Sequence, residues 1–235
     1  MGRLFITGDC HGSYDYKKIM TFEQLMGYDL NRDDILAVMG DWGAVWYDGS
    51  RKFQGVNYND YVVEAFWEKR RWTTFVVLGN HENYAEIAKY PIVNFCGAKA
   101  IKFSDNVYGA ITGEVYNLNG YHCLTVNGAD SHDRAFRTEG RDWWPQERIS
   151  EDDMLKAMAA GYNWKEVDYV LSHTGGSEVC SWFGYAPTIS DERMDKILDS
   201  VKYKTHYCGH YHQDRFCDKH RILYNDVIEI QGENK

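Results

Sequence analysis

Five short apolar runs divide the sequence, each too short to form a helix. They are rich in β-branched and aromatic residues, which is typical of buried strands. The runs cover residues 4–6, 35–39, 75–78, 169–171 and 207–208. We therefore predict a buried strand at each of them.

Helical patterns lie between several of these runs, because apolar residues recur there at the spacing of a helix face. The two clearest stripes are Ile19, Phe22, Leu25 and Met26, and Val62, Val63, Phe66 and Trp67. Ser150 and Asp153 resemble the capping box that starts a helix, and Gly161 is placed to end that helix. Ser190 is placed to cap a further helix.

Hairpin signals complete the pattern. Asn119 and Gly120 lie between two alternating runs, which predicts a tight hairpin, and residues 215–230 suggest another antiparallel pair. Strands that alternate with helices and are joined by hairpins indicate mixed sheets covered by helices. We predict a single α/β domain over residues 1–235, with two stacked sheets.

Composition narrows the class of protein. With 235 residues, 44% of them hydrophobic, the chain can bury a sizeable core. The net charge of -9 argues against a grip on duplex nucleic acid, which needs a basic face. The six cysteines form no CxxC pair and indicate reduced thiols, and neither a secretory signal nor a membrane span is visible. These features favour a cytoplasmic protein without a membrane partner.

Residues of the types that can bind metals follow all five apolar runs. The segments are GDCHG, GDWG, GNHE, SHT and GHYH, and ligands gather at the carboxyl ends of strands in α/β folds. The donors are Asp9, His11, Asp41, Asn80, His173, His210 and His212. They are too many for one first-row ion and suit two ions that share a carboxylate. Two ions about 3.5–4 Å apart suit in-line displacement at phosphorus.

These five motifs, in this order, resemble those of the calcineurin-like metallophosphoesterases over the stretch from Asp9 to His212. The resemblance implies a four-layer αββα sandwich of two β-sheets flanked by helices. It also implies that one ion is held by Asp9, His11 and His212, the other by Asn80, His173 and His210, with Asp41 as the bridge. By the same resemblance His81 faces the phosphate and stabilises or protonates the leaving oxygen, while a metal-bridging hydroxide attacks phosphorus. The mixture of carboxylate, amide and imidazole suits Mn, Fe or Zn.

The segment 128–148 has two interpretations. It combines Arg134, Arg137 and Arg141 with Trp143 and Trp144. One interpretation is a solvated loop that its tryptophans attach to the surface. The other is a lid in which an arginine, Arg137 first, grips phosphate in a bidentate manner and the indoles form a stacking wall.

Several substrate classes stay open for such an enzyme. The stretch GDWGAVW lacks the Asp-Arg pair expected after the second motif of phosphoprotein phosphatases, and with it a phosphate-binding arginine and an acidic partner for His81. We therefore favour a small phosphorylated or nucleotide substrate over a phosphoprotein, the alternative being a Ser/Thr phosphatase. The acidic charge counts against a nuclease. A non-catalytic metal-binding scaffold is the alternative from another class, although no expected ligand is missing.

Overall fold

The computed structural model describes residues 2–12, 14–27 and 29–231. Its strands are β1 (Leu4–Thr7), β2 (Ile35–Met39), β3 (Lys52–Phe53), β4 (Val56–Asn57), β5 (Thr73–Val77), β6 (Ile92–Phe95), β7 (Ala98–Ser104), β8 (Val107–Gly109), β9 (Val115–Leu118), β10 (Tyr121–Val126), β11 (Tyr169–Ser172), β12 (Thr205–Cys208), β13 (Arg215–Cys217), β14 (His220–Ile222) and β15 (Val227–Glu229). Its helices are α1 (Lys17–Met26), α2 (Tyr58–Val62), α3 (Tyr84–Ile87), α4 (Glu151–Trp164), α5 (Ser177–Trp182) and α6 (Ile189–Ser200), with a π-helical turn at Val63–Trp67 and 3₁₀ turns at Arg134–Phe136 and Pro145–Glu147. No helix in these ranges is both long enough and apolar enough to cross a membrane.

Two mixed sheets carry the fold. Among the described residues the first has the order β15-β1-β2-β5-β8-β7-β6, and the second has the order β13-β14-β12-β11-β10-β9. The strands β1, β2, β5 and β8 run parallel to one another, as do β10, β11, β12 and β14. All five strands predicted from the apolar runs are present in these parallel blocks. Their carboxyl ends therefore lie along one edge of each sheet, where the candidate ligands follow.

Successive side chains of a strand point to opposite faces of its sheet. Each sheet therefore packs against helices on one face and against the other sheet on its other face, which gives four layers. On β2, Val38 packs toward Phe22 of α1, whereas Met39 points between the sheets, where Leu171 and Tyr207 of the second sheet also lie. Helices α4 and α6 pack against the outer face of the second sheet. The order of layers is helix, sheet, sheet, helix. This confirms the predicted αββα sandwich.

Three details of the predicted helices are wrong. The capping box of Ser150 and Asp153 starts α4 as predicted, but the helix runs on past Gly161 to Trp164. A Cβ at Gly161 would lie 2.8 Å from the Cβ of Val201, so this glycine allows close packing rather than ending the helix. Helix α6 is capped by Thr188 and not by Ser190.

Ser190 does not cap α6 because its hydroxyl has another partner. It donates a hydrogen bond to Asp130 Oδ2 at 2.8 Å and is buried beneath the segment 128–148. Leu25 also departs from its predicted stripe, since its side chain is 78% exposed although Ile19 and Phe22 are buried.

The predicted hairpins are present. Asn119 and Gly120 both have a positive φ, 53° and 96°, as a tight turn between β9 and β10 requires. Strands β13 and β14 form the expected antiparallel pair near the C-terminus. The chain then crosses to the first sheet, where β15 pairs antiparallel with β1.

Candidate metal centre

The loops after β1, β2, β5, β11 and β12 bring the seven predicted donors together. The ligand atoms of Asp9, His11, Asp41 and His212 lie within 4.8 Å of one another, and those of Asp41, His173 and His210 do the same. The seventh donor, Asn80, places its Oδ1 3.0 Å from His173 Nε2. The donors thus form two groups that share Asp41, and their roles as ligands stay predictions.

The carboxylate of Asp41 faces both groups. Its Oδ2 lies 3.3 Å from His11 Nε2, and its Oδ1 lies 3.1 Å from His173 Nε2. Oδ1 also accepts a hydrogen bond from the backbone N–H of His81 at 2.8 Å. Each oxygen is therefore directed to a different group, which is the arrangement that a bridging carboxylate needs.

Hydrogen bonds at Nδ1 orient two of the imidazoles. His11 donates from Nδ1 to Asp15 Oδ2 at 2.6 Å, because a carboxylate can only accept. His173 likewise donates from Nδ1 to the backbone carbonyl of Met39 at 2.8 Å. In both residues Nε2 is left facing Asp41, ready to bind a cation. Asp15 was not predicted from the sequence, where its only signal is its position four residues after His11.

A buried carboxylate oxygen tests whether cations fit this site. Asp9 is completely buried, and its Oδ1 accepts a hydrogen bond from the backbone N–H of His210 at 2.9 Å. Its Oδ2 accepts no hydrogen bond from the described residues, although His212 Nε2 lies 3.2 Å away. Burying a charged oxygen without a partner is costly, and a cation next to it removes that cost. The donor set therefore fits divalent ions.

The electrostatics of the cluster favour positive charge. Burial opposes a charged imidazole at His173, but the carboxylates of Asp41 and Asp9 outweigh it and raise the pKa to about 10. Burial also opposes the charge of His11, yet the hydrogen bond with Asp41 raises its pKa to about 9. A divalent ion is attracted by the same carboxylates, and it competes with these protons for the imidazole nitrogens.

Glycines allow the loops to approach one another. A Cβ on Gly79 would lie 2.3 Å from Asp41 Oδ1, and one on Gly209 would lie 2.2 Å from Asp9 Oδ1. No side chain fits at either distance, so only glycine allows these loops to meet the carboxylates. A glycine directly precedes four of the seven donors in the sequence, namely Asp9, Asp41, Asn80 and His210, which is consistent with this close approach.

Glu82, which was not predicted from the sequence, connects two of the loops. Its Oε1 accepts from the N–H of Gly43 at 3.0 Å, and its Oε2 accepts from the N–H of Gly79 at 2.5 Å. Burial and the nearby charge of Asp41 raise the pKa of Glu82 to about 7. The side chain holds the second motif against the third. In the sequence, the only sign of its role is its place as the last residue of the motif GNHE.

His81 lies beside the donor cluster and contacts Arg137. Arg137 Nη2 is 3.1 Å from His81 Nε2, and because a guanidinium only donates, Nε2 accepts and the imidazole is neutral. Burial lowers the pKa of His81; Asp41 opposes this effect and Arg137 adds to it. Arg137 is itself held by Asp133, whose Oδ1 lies 2.7 Å from Nε. A guanidinium therefore reaches His81 from the segment 128–148, although the second motif lacks the expected arginine.

The other predicted substrate-binding residues of this segment have different surroundings from those of Arg137. The guanidinium of Arg134 stacks over Trp143 at 4.0 Å, and Arg141 is exposed beside Asp142. Trp143 and Trp144 are buried, with 8% and 4% of their surface exposed. Burial of the indoles attaches the segment to the protein, as the loop interpretation expects, whereas Arg137 is oriented as the lid interpretation expects.

Comparison with known proteins agrees with this geometry. A family model of calcineurin-like phosphoesterases matches residues 2–214, a range that contains every predicted donor. Comparison with curated proteins gave no match. The chain belongs to the calcineurin-like phosphoesterase family, whose members are metal-dependent phosphoesterases.

Proposed function

We propose that the protein is a dinuclear metal-dependent phosphoesterase that acts on small phosphorylated substrates or nucleotides, with residues 1–235 as one domain. The observation that carries this proposal is the pair of donor groups that share Asp41, with His81 and Arg137 directly beside them. The net charge of -9 and the scattered cysteines further support a cytoplasmic protein that does not act on duplex nucleic acid.

The ligand assignment follows the two groups. Asp9, His11 and His212 would hold one ion, Asn80, His173 and His210 the other, and Asp41 both. Two such ions, when bound, supply an activated water and neutralise the phosphate charge. The ligand types suit Mn, Fe or Zn.

His81 and Arg137 would act on the substrate directly. The guanidinium of Arg137 matches two phosphate oxygens, and an incoming phosphate would offer it an anionic partner in place of His81 Nε2. His81 would then be free to donate a hydrogen bond or a proton to the leaving oxygen, because the negative phosphate favours its charged form. The contact of 3.1 Å between the two side chains supports this exchange of partners.

A substrate screen tests the proposal. An aryl phosphate monoester and an aryl diester should be hydrolysed with added Mn²⁺ and not after treatment with a chelator. A phosphoserine peptide in the same screen tests the phosphatase alternative. Tight binding of Mn²⁺ without turnover of any ester would favour the scaffold alternative.

A variant of His81 separates catalysis from metal binding. His81→Ala should keep its metal content and lose turnover by about 10²–10⁴, the range for one acid–base group. His122→Ala is the matched control, because His122 lies in the β9–β10 hairpin and contacts Asp168 and Trp164. Loss of metal in proportion to activity would instead make His81 a ligand.

A further inference from the structure

A cavity of about 470 Å³ opens directly from the candidate metal centre. Its inner wall includes His11, His81 and His212. Its outer wall includes Trp46 and Tyr47 from the loop after β2, and Tyr58, the first residue of α2. The volume lies in the range of about 300–1,000 Å³ that is typical of small-molecule sites. A molecule that reaches the metal centre through this cavity passes between aromatic side chains.

The aromatic wall is held in place by buried polar groups. Asn59 is 1% exposed, and its Oδ1 accepts from the backbone N–H groups of Trp46 and Tyr47 at 3.2 and 3.0 Å. Its Nδ2 donates back to the carbonyl of Tyr47 at 2.6 Å. Asn83, which follows the third motif, donates from Nδ2 to the carbonyl of Trp46 at 3.3 Å. The wall is therefore fixed relative to the loop that carries His81, and it does not have to be ordered by the ligand.

The position of His81 indicates which part of a substrate this cavity receives. Its imidazole stacks on Trp46, with ring centroids 5.4 Å apart and an angle of 29° between the planes. If His81 serves the leaving oxygen, the group attached to that oxygen lies beside Trp46, Tyr47 and Tyr58. Arg51 packs over the rings of Tyr47 and Tyr58, at 3.7 and 4.6 Å, which restrains both of them.

We propose that the cavity binds a planar aromatic ring on the leaving alcohol, so that the preferred substrates are phosphate esters of alcohols carrying such a ring. This inference rests on the proposed phosphoesterase function. Half-buried aromatic side chains around a narrow space bind a flat ring better than a puckered one of the same size, because rings gain from stacked and edge contacts. The wall is formed by Trp46 with the two tyrosines, and Trp144 supports it from behind through an edge contact with Trp46 at 5.4 Å.

Two pairs of substrates test the proposal with Mn²⁺ present. Benzyl phosphate and cyclohexylmethyl phosphate have the same charge, similar size and alcohols of similar acidity, and they differ in whether the ring is flat. We expect kcat/KM to be about 5- to 10-fold higher for the benzyl ester, the scale of one or two aromatic contacts. The pair of adenosine 5′-monophosphate and ribose 5-phosphate shows whether a nucleoside supplies the ring. Ratios near one for both pairs would overturn the proposal while leaving the phosphoesterase function intact.

Variants connect this preference to the cavity. Tyr58→Leu keeps an apolar side chain but removes a flat one, and should lower the benzyl to cyclohexylmethyl ratio about threefold or more. Tyr162→Leu is the matched control, because Tyr162 is 79% exposed on α4, and its ratio should equal that of the parent. An unchanged ratio in a folded Tyr58→Leu protein would contradict the assignment of the cavity.

A binding experiment keeps the test independent of turnover. Benzylphosphonate should bind the Mn²⁺-loaded protein more tightly than cyclohexylmethylphosphonate, as seen by saturation-transfer NMR and by competition between the two. This comparison decides the proposal if Tyr58→Leu does not fold, or if no ester is hydrolysed. Equal binding of the two phosphonates, or no binding of either, would overturn it.

Discussion

Removing the carboxylate that orients His11 should weaken one metal site selectively. Asp15 Oδ2 lies 2.6 Å from His11 Nδ1, and this contact keeps Nε2 directed toward Asp41 Oδ2 at 3.3 Å. The carboxylate also makes the imidazole a stronger ligand, because its hydrogen bond with the Nδ1–H group raises the basicity of Nε2. Asp15→Asn keeps a hydrogen-bond acceptor at the same place and removes the charge. Asp15→Ala removes both.

The two variants should lower the metal affinity to different extents. Loss of an outer carboxylate that supports a ligating histidine typically costs 10–100-fold in metal affinity, or about 1.4–2.8 kcal/mol. The contact is short and its two side chains are only 15% and 28% exposed, so solvent screens it weakly. We expect a loss of about 10-fold for Asp15→Asn and about 100-fold for Asp15→Ala.

Titration of the metal-free protein with Mn²⁺, followed calorimetrically, measures these affinities. Only the step assigned to the group of Asp9, His11 and His212 should weaken. Asp218→Asn is the matched control, since it removes the same charge in the turn between β13 and β14. Unchanged affinity in Asp15→Ala, or equal weakening of both steps, would refute the role given to Asp15.

Three further changes probe other parts of the site. Arg137→Lys should raise KM about 10-fold with a smaller effect on kcat, because an ammonium cannot match two phosphate oxygens; an unchanged KM on every substrate would remove Arg137 from the site. Gly79→Ala should abolish tight Mn²⁺ binding, since its Cβ would lie 2.3 Å from Asp41 Oδ1, and normal binding would contradict this packing. Burial raises the pKa of Glu147 to about 7 from a usual value of 4.5, so its contribution to stability is complete below pH 4.5 and is lost as the pH rises through 7. Glu147→Gln should therefore gain about 2 kcal/mol in free energy of unfolding over the parent at pH 8 and little at pH 5, measured by urea denaturation of metal-free protein.

The parts of the fold that depend on local pattern were predictable from the sequence. Strand periodicity and the turn at Asn119 and Gly120 depend on neighbouring residues only, so they predict β2 and the β9–β10 hairpin directly. The cap of α6 is local as well, because Thr188 and Asp191 form the same kind of capping box as the one that starts α4, although Ser190 was predicted in that place. The continuation of α4 past Gly161 was not predictable in this way, because it depends on packing against Val201, which is distant in sequence.

The candidate site shows the same difference between features that depend on local pattern and features that depend on contacts between distant residues. The meeting of the candidate donors was predictable because each follows a strand closely, and their roles as ligands stay predictions. The residues that support the donors were not predictable. Asp15 and Glu82 act through contacts that exist only after the loops assemble. For the same reason the aromatic wall was expected at Trp143 and Trp144, whereas the cavity is lined by Trp46 and the tyrosines beside it.

The proposed function rests on the claim that two ions share the carboxylate of Asp41. Electron paramagnetic resonance during a Mn²⁺ titration of the metal-free protein tests it, because two Mn²⁺ ions bridged by one carboxylate are magnetically coupled. We predict two bound ions per chain, a coupled spectrum that appears as the second ion binds, hydrolysis that rises with it, and loss of the coupling in Asp41→Asn. Two uncoupled ions, a single ion at saturation, or full hydrolysis by protein that binds no metal would contradict the claim.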